Sequence, residues 1–417
     1  MAAIALLASA CGGGSGDDDD STSGDTTGVT DDTIKLGTTQ PLTGPAAPGY
    51  KVISDAMTAY FEHVNAEGGV NGRKIELIVE DDGYDPSKTA AQTRKLVEKD
   101  KVFALVGALG TPTHSQVLDY VRDSKIPDLF VSSGSLAWNQ PDKYPATFGW
   151  QTDYTREGKV LATYVKDKFA GKTMCSFGQG DDLGRDGVKG LETILGPDGL
   201  KKKEEYSPAN QDVAPQIGNL KAAGCEVVFN FTIPGFTALA MGTAAQLGFR
   251  PQWVQSSVGA DPVALKGYLK ENAEALTQGT IAGNYLPPTD PANSWFKAFS
   301  AINDEYGKGI ELSATAIHGY ALGYAVVQAL LAAGEDPTRE SLIEAVAGGK
   351  LTLGPSPTPF AYSADDHSGM TGVQVVEIDK LRTKELTKPM VTDDGDGPVE
   401  ESTVATEEAP ENGIPQS

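Results

Sequence analysis

The sequence predicts an α/β protein of two Rossmann-like lobes with parallel sheets, and three observations carry that expectation. From residue 33 onward, short aliphatic and β-branched runs alternate with helical stretches, the pattern of βαβ units whose sheets are covered on both faces. The alternation restarts near residue 155. A chain of 417 residues is also long for one core, since folded domains usually run to ~100–200 residues.

The first strand is Ile34 to Thr38, followed by a polar loop from Gln40 to Pro45. Val52, Ile53, Ala56, Met57, Tyr60, Phe61 and Val64 then share one face of a helix, which Gly68 and Gly69 end. Lys74 to Val79 is the second strand. A helix over 86–99 leads to the apolar strand Phe103 to Gly107, and a helix from Pro112 leads to a strand at Leu129 to Val131. In the second half, a helix over 155–169 precedes a strand from Thr173 to Phe177, helices over 183–195 and 212–223, and the strand Val227 to Phe231. A helix over 235–247 and strands at Trp253 to Gln255 and Thr280 to Gly283 come next. Helices follow over 291–306 and from Ser313 to Ala333. The second of these is the most apolar stretch, but Gly323 and Gln328 inside it mark a core helix rather than a membrane span, which needs about 20 apolar residues. Val373 to Ile378 is the last strand.

Asp and Glu number 57 against 34 Lys and Arg, giving a net charge of −23, which excludes a basic nucleic-acid surface. Residues 1–33 hold seven acids and residues 391–417 hold eight, with no Lys or Arg in either, so the middle keeps 42 acids against 34 bases. The final segment is rich in Pro, Glu, Thr and Asp and has too little apolar surface to fold, so a disordered tail is expected. Ala2 to Ala10 is too short to cross a bilayer core of ~30 Å and reads as the apolar part of a signal peptide. The small residues before Cys11 resemble a bacterial lipobox, although Ala8 stands where Leu is usual and no basic residue comes first. Lipidation at Cys11 is expected, with a flexible acidic leash holding an extracytoplasmic domain to the cell membrane. Cys175 and Cys225 are an even pair in an exported chain, which favours a disulfide. Their placement mid-strand and just before a strand puts the Cα atoms beyond the ~7 Å bridging limit, so both readings stand.

Catalytic patterns are missing. His63, His114, His318 and His367 have no metal-ligand spacing and read as surface or helix residues, and there is no GxSxG elbow or P-loop. Gly178-Gln179-Gly180 lacks its third glycine, where Leu183 stands. No enzyme, metal or cofactor is expected. Asp81 and Asp82 read as turn caps rather than Mg²⁺ ligands. The informative feature is Gly110-Thr111-Pro112-Thr113 directly after a strand. Thr111 as N-cap and Pro112 in the first helical position would aim free helix amides from a strand end into a cleft, which suits a ligand carboxylate; capping without a ligand is the alternative. Ser132-Ser133-Gly134-Ser135 forms a second polar strand end beside it.

Several segments recur together over Thr33 to Lys380: Pro41-Leu42-Thr43-Gly44-Pro45 before a helix, Asn65-Ala66-Glu67-Gly68-Gly69-Val70-Asn71-Gly72, Glu80-Asp81-Asp82 with Asp85-Pro86, the Val106-Gly107 strand end, Ala222-Ala223-Gly224 before Val227, and Gln246-Leu247-Gly248. On these residues the chain resembles the periplasmic leucine/isoleucine/valine-binding family, the type I solute-binding components of ABC importers. The resemblance implies two lobes joined by a three-strand hinge, with crossings near 148–152, 283–287 and 364–371. Lobe 1 would hold residues 33–148 and 286–365, and lobe 2 residues 149–285 and 366–385. Residues 1–10 would be the signal peptide, 11–32 the leash and 386–417 the disordered tail.

The resemblance also implies that a ligand carboxylate is held around Thr111 and Thr113 and by the loop Ser133-Gly134-Ser135, with Tyr50 as the first-loop aromatic. Departures follow: Leu136 stands for a Thr that receives the ligand amine, Leu183 and Ile233 for tyrosines of the second lobe, and Ser257 for the acid that pairs with the ammonium. A buried ammonium without a carboxylate is costly, so these departures argue against an ordinary α-amino acid. Trp138 and Trp150 lie near the first-lobe loop and the first crossing, where each is either part of the site or core packing, and Gln151 and Asp182 offer polar closure contacts. The expected protein is a monomeric, lipid-anchored solute-binding protein. It takes a branched-chain amino-acid-like ligand or an aliphatic or aromatic carboxylate and delivers it to an ABC permease. A sensory binding module of the same fold, or an α/β enzyme, is the alternative.

Overall fold

The computed structural model describes residues 24–416; the signal-peptide segment, Cys11 and the start of the leash lie outside the described residues. The first sheet is built from β1 (Thr33–Gln40), β2 (Lys74–Asp81), β3 (Ala104–Val106), β4 (Asp128–Val131) and β5 (Thr147–Gly149). Its order is β2-β1-β3-β4-β5 and every neighbouring pair is parallel. The second sheet repeats that order with β6 (Met174–Gln179), β7 (Lys202–Tyr206), β8 (Val227–Phe231), β9 (Gln252–Gln255) and β10 (Ile281–Asn284), again all parallel. A two-stranded ribbon, β11 (Phe360–Ala361) with β12 (Gly369–Met370), precedes β13 (Gly372–Asp379), β14 (Arg382–Val391) and β15 (Glu400–Glu401), which extend the second sheet in antiparallel fashion. In both sheets the order reverses beside the first strand of the lobe, and in such sheets ligands bind outside the carboxyl ends at that reversal.

Helix Ala314–Ala332 is buried from Ala316 to Leu330 and packs along helix Ala47–Ala66, so its apolar surface faces other protein. The chain passes between the sheets after β5, after β10 and before β13. The first and third passages run side by side: Gly149 N donates to His367 O (2.9 Å), Met370 N to Trp150 O (3.1 Å) and Thr152 Oγ1 to Gly372 O (2.5 Å). Gly369 has φ +88°, and a Cβ there would lie 2.7 Å from Trp150 O, so only glycine lets the two strands approach this closely.

The expected disordered tail is corrected. β14 continues to Val391, and the buried Lys159 ammonium binds Asp393 O (2.9 Å), Asp393 Oδ1 (2.8 Å) and Gly395 O (2.7 Å). After β15 the tail returns to the first lobe. The Glu407 carboxylate accepts from Thr352 Oγ1, Leu353 N and Gly354 N, Trp295 Nε1 donates to Glu407 O (2.7 Å), and Tyr60 OH donates to Gly413 O (2.8 Å). The acids are used as anchors, so composition alone misjudged them, and the tail makes a fourth passage between lobes. The leash is shorter than expected for a related reason. Asp25 pairs with Arg339 (2.8 Å), which also donates to Val102 O and Phe103 O, and Lys35 N donates to Gly28 O.

Cys175 and Cys225 form a disulfide with Cα atoms 5.8 Å apart. The register reading failed because Cys175 is only the second residue of β6, and Gly224, at φ +73°, turns the chain after helix Ala214–Ala222 to bring Cys225 back over it. Two outcomes are expected. Replacing both cysteines by alanine should lower unfolding free energy by up to about 4 kcal/mol, the chain-entropy value for a loop of this size, read by denaturant titration. Truncation after Glu401 should cost roughly 2–4 kcal/mol by removing the partners of Trp295 and Tyr60, read in the same way.

Candidate ligand-binding cleft

A cavity lies between the two sheets, at the carboxyl ends of strands from both. The first lobe contributes Tyr50 and Ile53 from helix Ala47–Ala66, Tyr84 after β2, Leu109 to Thr111 after β3, and Ser132 after β4. The second contributes Leu183 after β6, Ile233 after β8 and Ser257 after β9; Gln151 and Tyr285 come from the passages themselves. About 70 Å³ is open to the centre of a water molecule.

Three hydroxyls meet on one wall. Thr111 Oγ1 lies 2.8 Å from Ser133 Oγ and 3.2 Å from Tyr154 OH, and Ser133 Oγ lies 3.3 Å from Tyr154 OH. Tyr154 opens helix Tyr154–Lys168, whose cap Asp153 accepts from Arg156 N, and its own N–H donates to Gly134 O of the first lobe. Burial pushes its phenol up to about 12, so all three groups are neutral hydroxyls near neutral pH. Ser132 lines the cavity and Ser133 stands behind Thr111 just beyond an irregularity in β4. Phe130 has φ +62°, and the pairing with β5 slips between Asp128 and Val131. Such a bulge re-aims the side chains beyond it.

A second polar chain crosses the back of the cavity. His318 Nε2 lies 3.0 Å from Ser132 Oγ and its Nδ1 3.0 Å from Tyr285 OH, which in turn donates to Gln151 Oε1 (3.4 Å). Burial pushes the imidazole down to about 3, so it carries no charge at physiological pH. Trp150 presses edge-on against this ring, with centroids 4.6 Å apart.

The lobes are closed on each other. Ser135 Oγ donates to Asp182 Oδ2 (2.8 Å), Leu136 N to Asp186 Oδ2 (3.2 Å), Tyr50 OH to Val258 O (3.3 Å) and Tyr268 OH to Pro45 O (2.9 Å). Asp261 of the second lobe accepts from Thr315 N and Thr315 Oγ1 at the start of helix Ala314–Ala332.

Of the residues singled out in the sequence, Tyr50, Thr111, Gln151, Leu183, Ile233 and Ser257 line the cavity. Ser133 stands behind Thr111, and Thr113 points back to Leu109 O (2.7 Å). Gly134, Ser135 and Asp182 belong to the contact between lobes, and Trp150 supports His318. Trp138 is buried, donating to Ser133 O. The helix after β3 is also corrected: it spans only Thr111–Ser115, its cap is Gly110, and Thr111 Oγ1 is engaged with the hydroxyl cluster rather than with helix amides. Asp81 and Asp82 accept from Thr43 and Thr89 as turn caps. Sequence reading missed Tyr154, Tyr285 and His318. The first follows the Asp153 helix cap immediately after the first passage, a signal that was there to use. His318 was hidden inside an apolar helix.

The periplasmic binding protein family matches residues 33–384. The chain belongs to that family. Its members share the two-lobed type I fold, and the role of the chain is to bind a solute. It is 25% identical over 341 residues to Leu/Ile/Val-binding protein homolog 1 of Brucella abortus, covering 79% of this chain and 85% of that one. It is 24% identical over 201 residues to a leucine-, isoleucine-, valine-, threonine- and alanine-binding protein of Pseudomonas aeruginosa, spanning 48% of this chain and about half, 53%, of the relative. Two solved structures share the fold. One is a branched-chain amino acid ABC transporter protein of Thermus thermophilus with bound valine (TM-score 0.77, 18% identity, covering 86% of this chain and 97% of that one). The other is a fatty acid ABC transporter substrate-binding protein of Thermomonospora curvata (TM-score 0.78, 24% identity, 89% and 95%).

Closure of this periplasmic binding protein is expected to depend on pH through Asp186. Burial, reinforced by Asp182 and Asp153, pushes its carboxyl up to about 6 against the donation from Leu136 N and the charge of Lys189. An open cleft returns it to water and to an ordinary value near ~4. The closed state therefore binds the proton more tightly, and lowering pH from 7 to 5 should favour closure by about tenfold. Small-angle scattering against pH checks this, and Asp186→Asn should flatten the response.

Proposed function

We propose that the chain is the extracytoplasmic receptor of an ABC importer, lipid-anchored through Cys11 and monomeric, which closes around a small organic carboxylate and presents it to the permease. The observation that carries this reading is the Thr111, Ser133 and Tyr154 hydroxyl cluster facing an aliphatic wall of Leu183 and Ile233 across one cavity. Hydroxyls from both lobes converge there, so a carboxylate accepting from Thr111 and Tyr154 gains most of its contacts only when the lobes meet. That difference is what drives hinge closure. The relatives named for leucine, isoleucine and valine, and the fold neighbours, one with bound valine and one named for fatty acid transport, agree with a carboxylate attached to an apolar body.

The test is a thermal-shift and calorimetric screen of branched-chain amino acids, aromatic and aliphatic acids, short amides and urea. For the best ligand, Thr111→Ala should weaken binding by roughly 10- to 100-fold, the range for a hydrogen bond to a charged group. Unchanged affinity would show that the carboxylate sits elsewhere.

A further inference from the structure

The family match ends at residue 384, and the chain runs on from there into a tail that touches both lobes. The tail's first anchor lies on helix Tyr154–Lys168 of the second lobe. Arg156 Nε donates to Thr392 O (3.0 Å), and one turn further along the buried Lys159 ammonium is held by Asp393 O, Asp393 Oδ1 and Gly395 O. An ammonium has three donors, and the tail satisfies all of them. Detaching the tail here would leave a buried charge unpaired, which is strongly destabilising. β15 then pairs with β14, and Ser402 N donates to Pro389 O (2.8 Å), so the chain stays on the second lobe as far as residue 402. The second anchor is on the first lobe, where the Glu407 carboxylate and carbonyl are held by Thr352, Leu353, Gly354 and Trp295. Beyond it the tail rests on helix Ala47–Ala66: Tyr60 OH donates to Gly413 O (2.8 Å), and His63 Nε2 lies 2.8 Å from Asn412 O. Both of these helices also line the cavity, one through Tyr154 and the other through Tyr50 and Ile53.

Between the anchors the chain is Thr403-Val404-Ala405-Thr406, all exposed, and the one hydrogen bond these residues make among the described residues is Val404 N to Ser402 Oγ (3.3 Å), inside the tail itself. From Ser402 to Glu407 such a chain reaches at most roughly 18 Å when fully extended. A lobe rotation that carries the anchors beyond this reach has to break bonds at one end. The Lys159 end is the costlier to release, since its ammonium is fully buried, whereas Glu407 is half-buried and its partners return to water. We propose that residues 392–414 are a strap that ties the two cavity-lining helices together and sets how widely the ligand-free cleft opens, with Glu407 as the releasable end. Each hydrogen bond to a charged group that must break lowers the population of the wide-open state by roughly 10- to 100-fold. The strap thereby raises the fraction of molecules poised to bind, and with it the apparent affinity for the solute. This goes beyond the proposed receptor role and holds whichever solute the cleft takes.

The test lengthens the strap without touching its anchors. A flexible Gly/Ser segment of about ten residues, inserted between Val404 and Ala405 in the full chain, keeps every anchor bond and costs little stability. Opening is read by native-state hydrogen exchange at two amides that donate from one lobe to the other, Leu136 N to Asp186 Oδ2 and Tyr154 N to Gly134 O. In ligand-free protein the insertion should speed exchange at both amides by roughly 10- to 100-fold and raise the radius of gyration in small-angle scattering, with the melting temperature close to wild type. Glu407→Ala, which frees one end of the same strap, should give a similar rise, and the two changes together should give no more than either alone. Exchange and radius unchanged by the insertion overturn the inference. So does a rise in Glu407→Ala that the insertion does not reproduce, because the tail then contributes contact energy without restraining the lobes. Either result leaves the solute-binding role intact.

Discussion

Everything about the cleft depends on how two independent sheets are held with their carboxyl ends facing. The constraint is the pairing of the first and third passages, where Gly149, Trp150 and Thr152 exchange hydrogen bonds with His367, Met370 and Gly372. These bonds tie the two passages side by side between the lobes. The same segment carries Gln151 into the cavity and Trp150 against His318. The hinge and the site are therefore built from adjacent residues of one strand.

Around those passages the two lobes meet through two sorts of contact. Hydroxyl and backbone contacts hold the cleft shut: Tyr50 OH donates to the neutral Val258 carbonyl, and Thr315 N and Oγ1 donate to the Asp261 carboxylate. The carboxylates Glu157 and Asp186 are different: burial raises both, and neither pairs with a basic side chain among the described residues. Closure takes the Asp186 carboxylate out of water at the rim, where it accepts from Leu136 N, whereas Glu157 is buried by Ser256 and Ser257 of its own lobe. The tail adds a restraint of its own, since it is pinned to the second lobe by Lys159 and to the first by Glu407.

Most of the regular elements were legible in the sequence because burial on both faces leaves a strong apolar signal. The run Val227 to Phe231 is entirely buried in β8, and the stripe from Ile53 to Val64 lies inward on its helix. The cleft was legible where a strand end carries a distinctive polar loop, as at Thr111 and Ser132 to Ser135. It was not legible where a side chain reaches the site from a helix interior. His318 sits amid Ala and Gly in an apolar helix. The tail was misread for the opposite reason. Its acids look solvated in composition, yet Lys159, buried in the core of the second lobe, needs them as acceptors.

By itself the sequence determined the α/β class, the two-lobed division and the polar strand ends that line the cavity, because those features follow from local periodicity and from turn chemistry between neighbouring residues. Only the tertiary structure decided the disulfide, the fourth passage and the burial of Glu157. Each of these depends on residues far apart in the chain being brought within a few ångströms. Cys175 meets Cys225 through a turn at Gly224, Tyr60 meets Gly413, and Glu157 meets the Ser257 amide across the gap between a helix start and a strand end. Spacing along the chain carries no record of such meetings, and the electrostatics of a buried site are set by them.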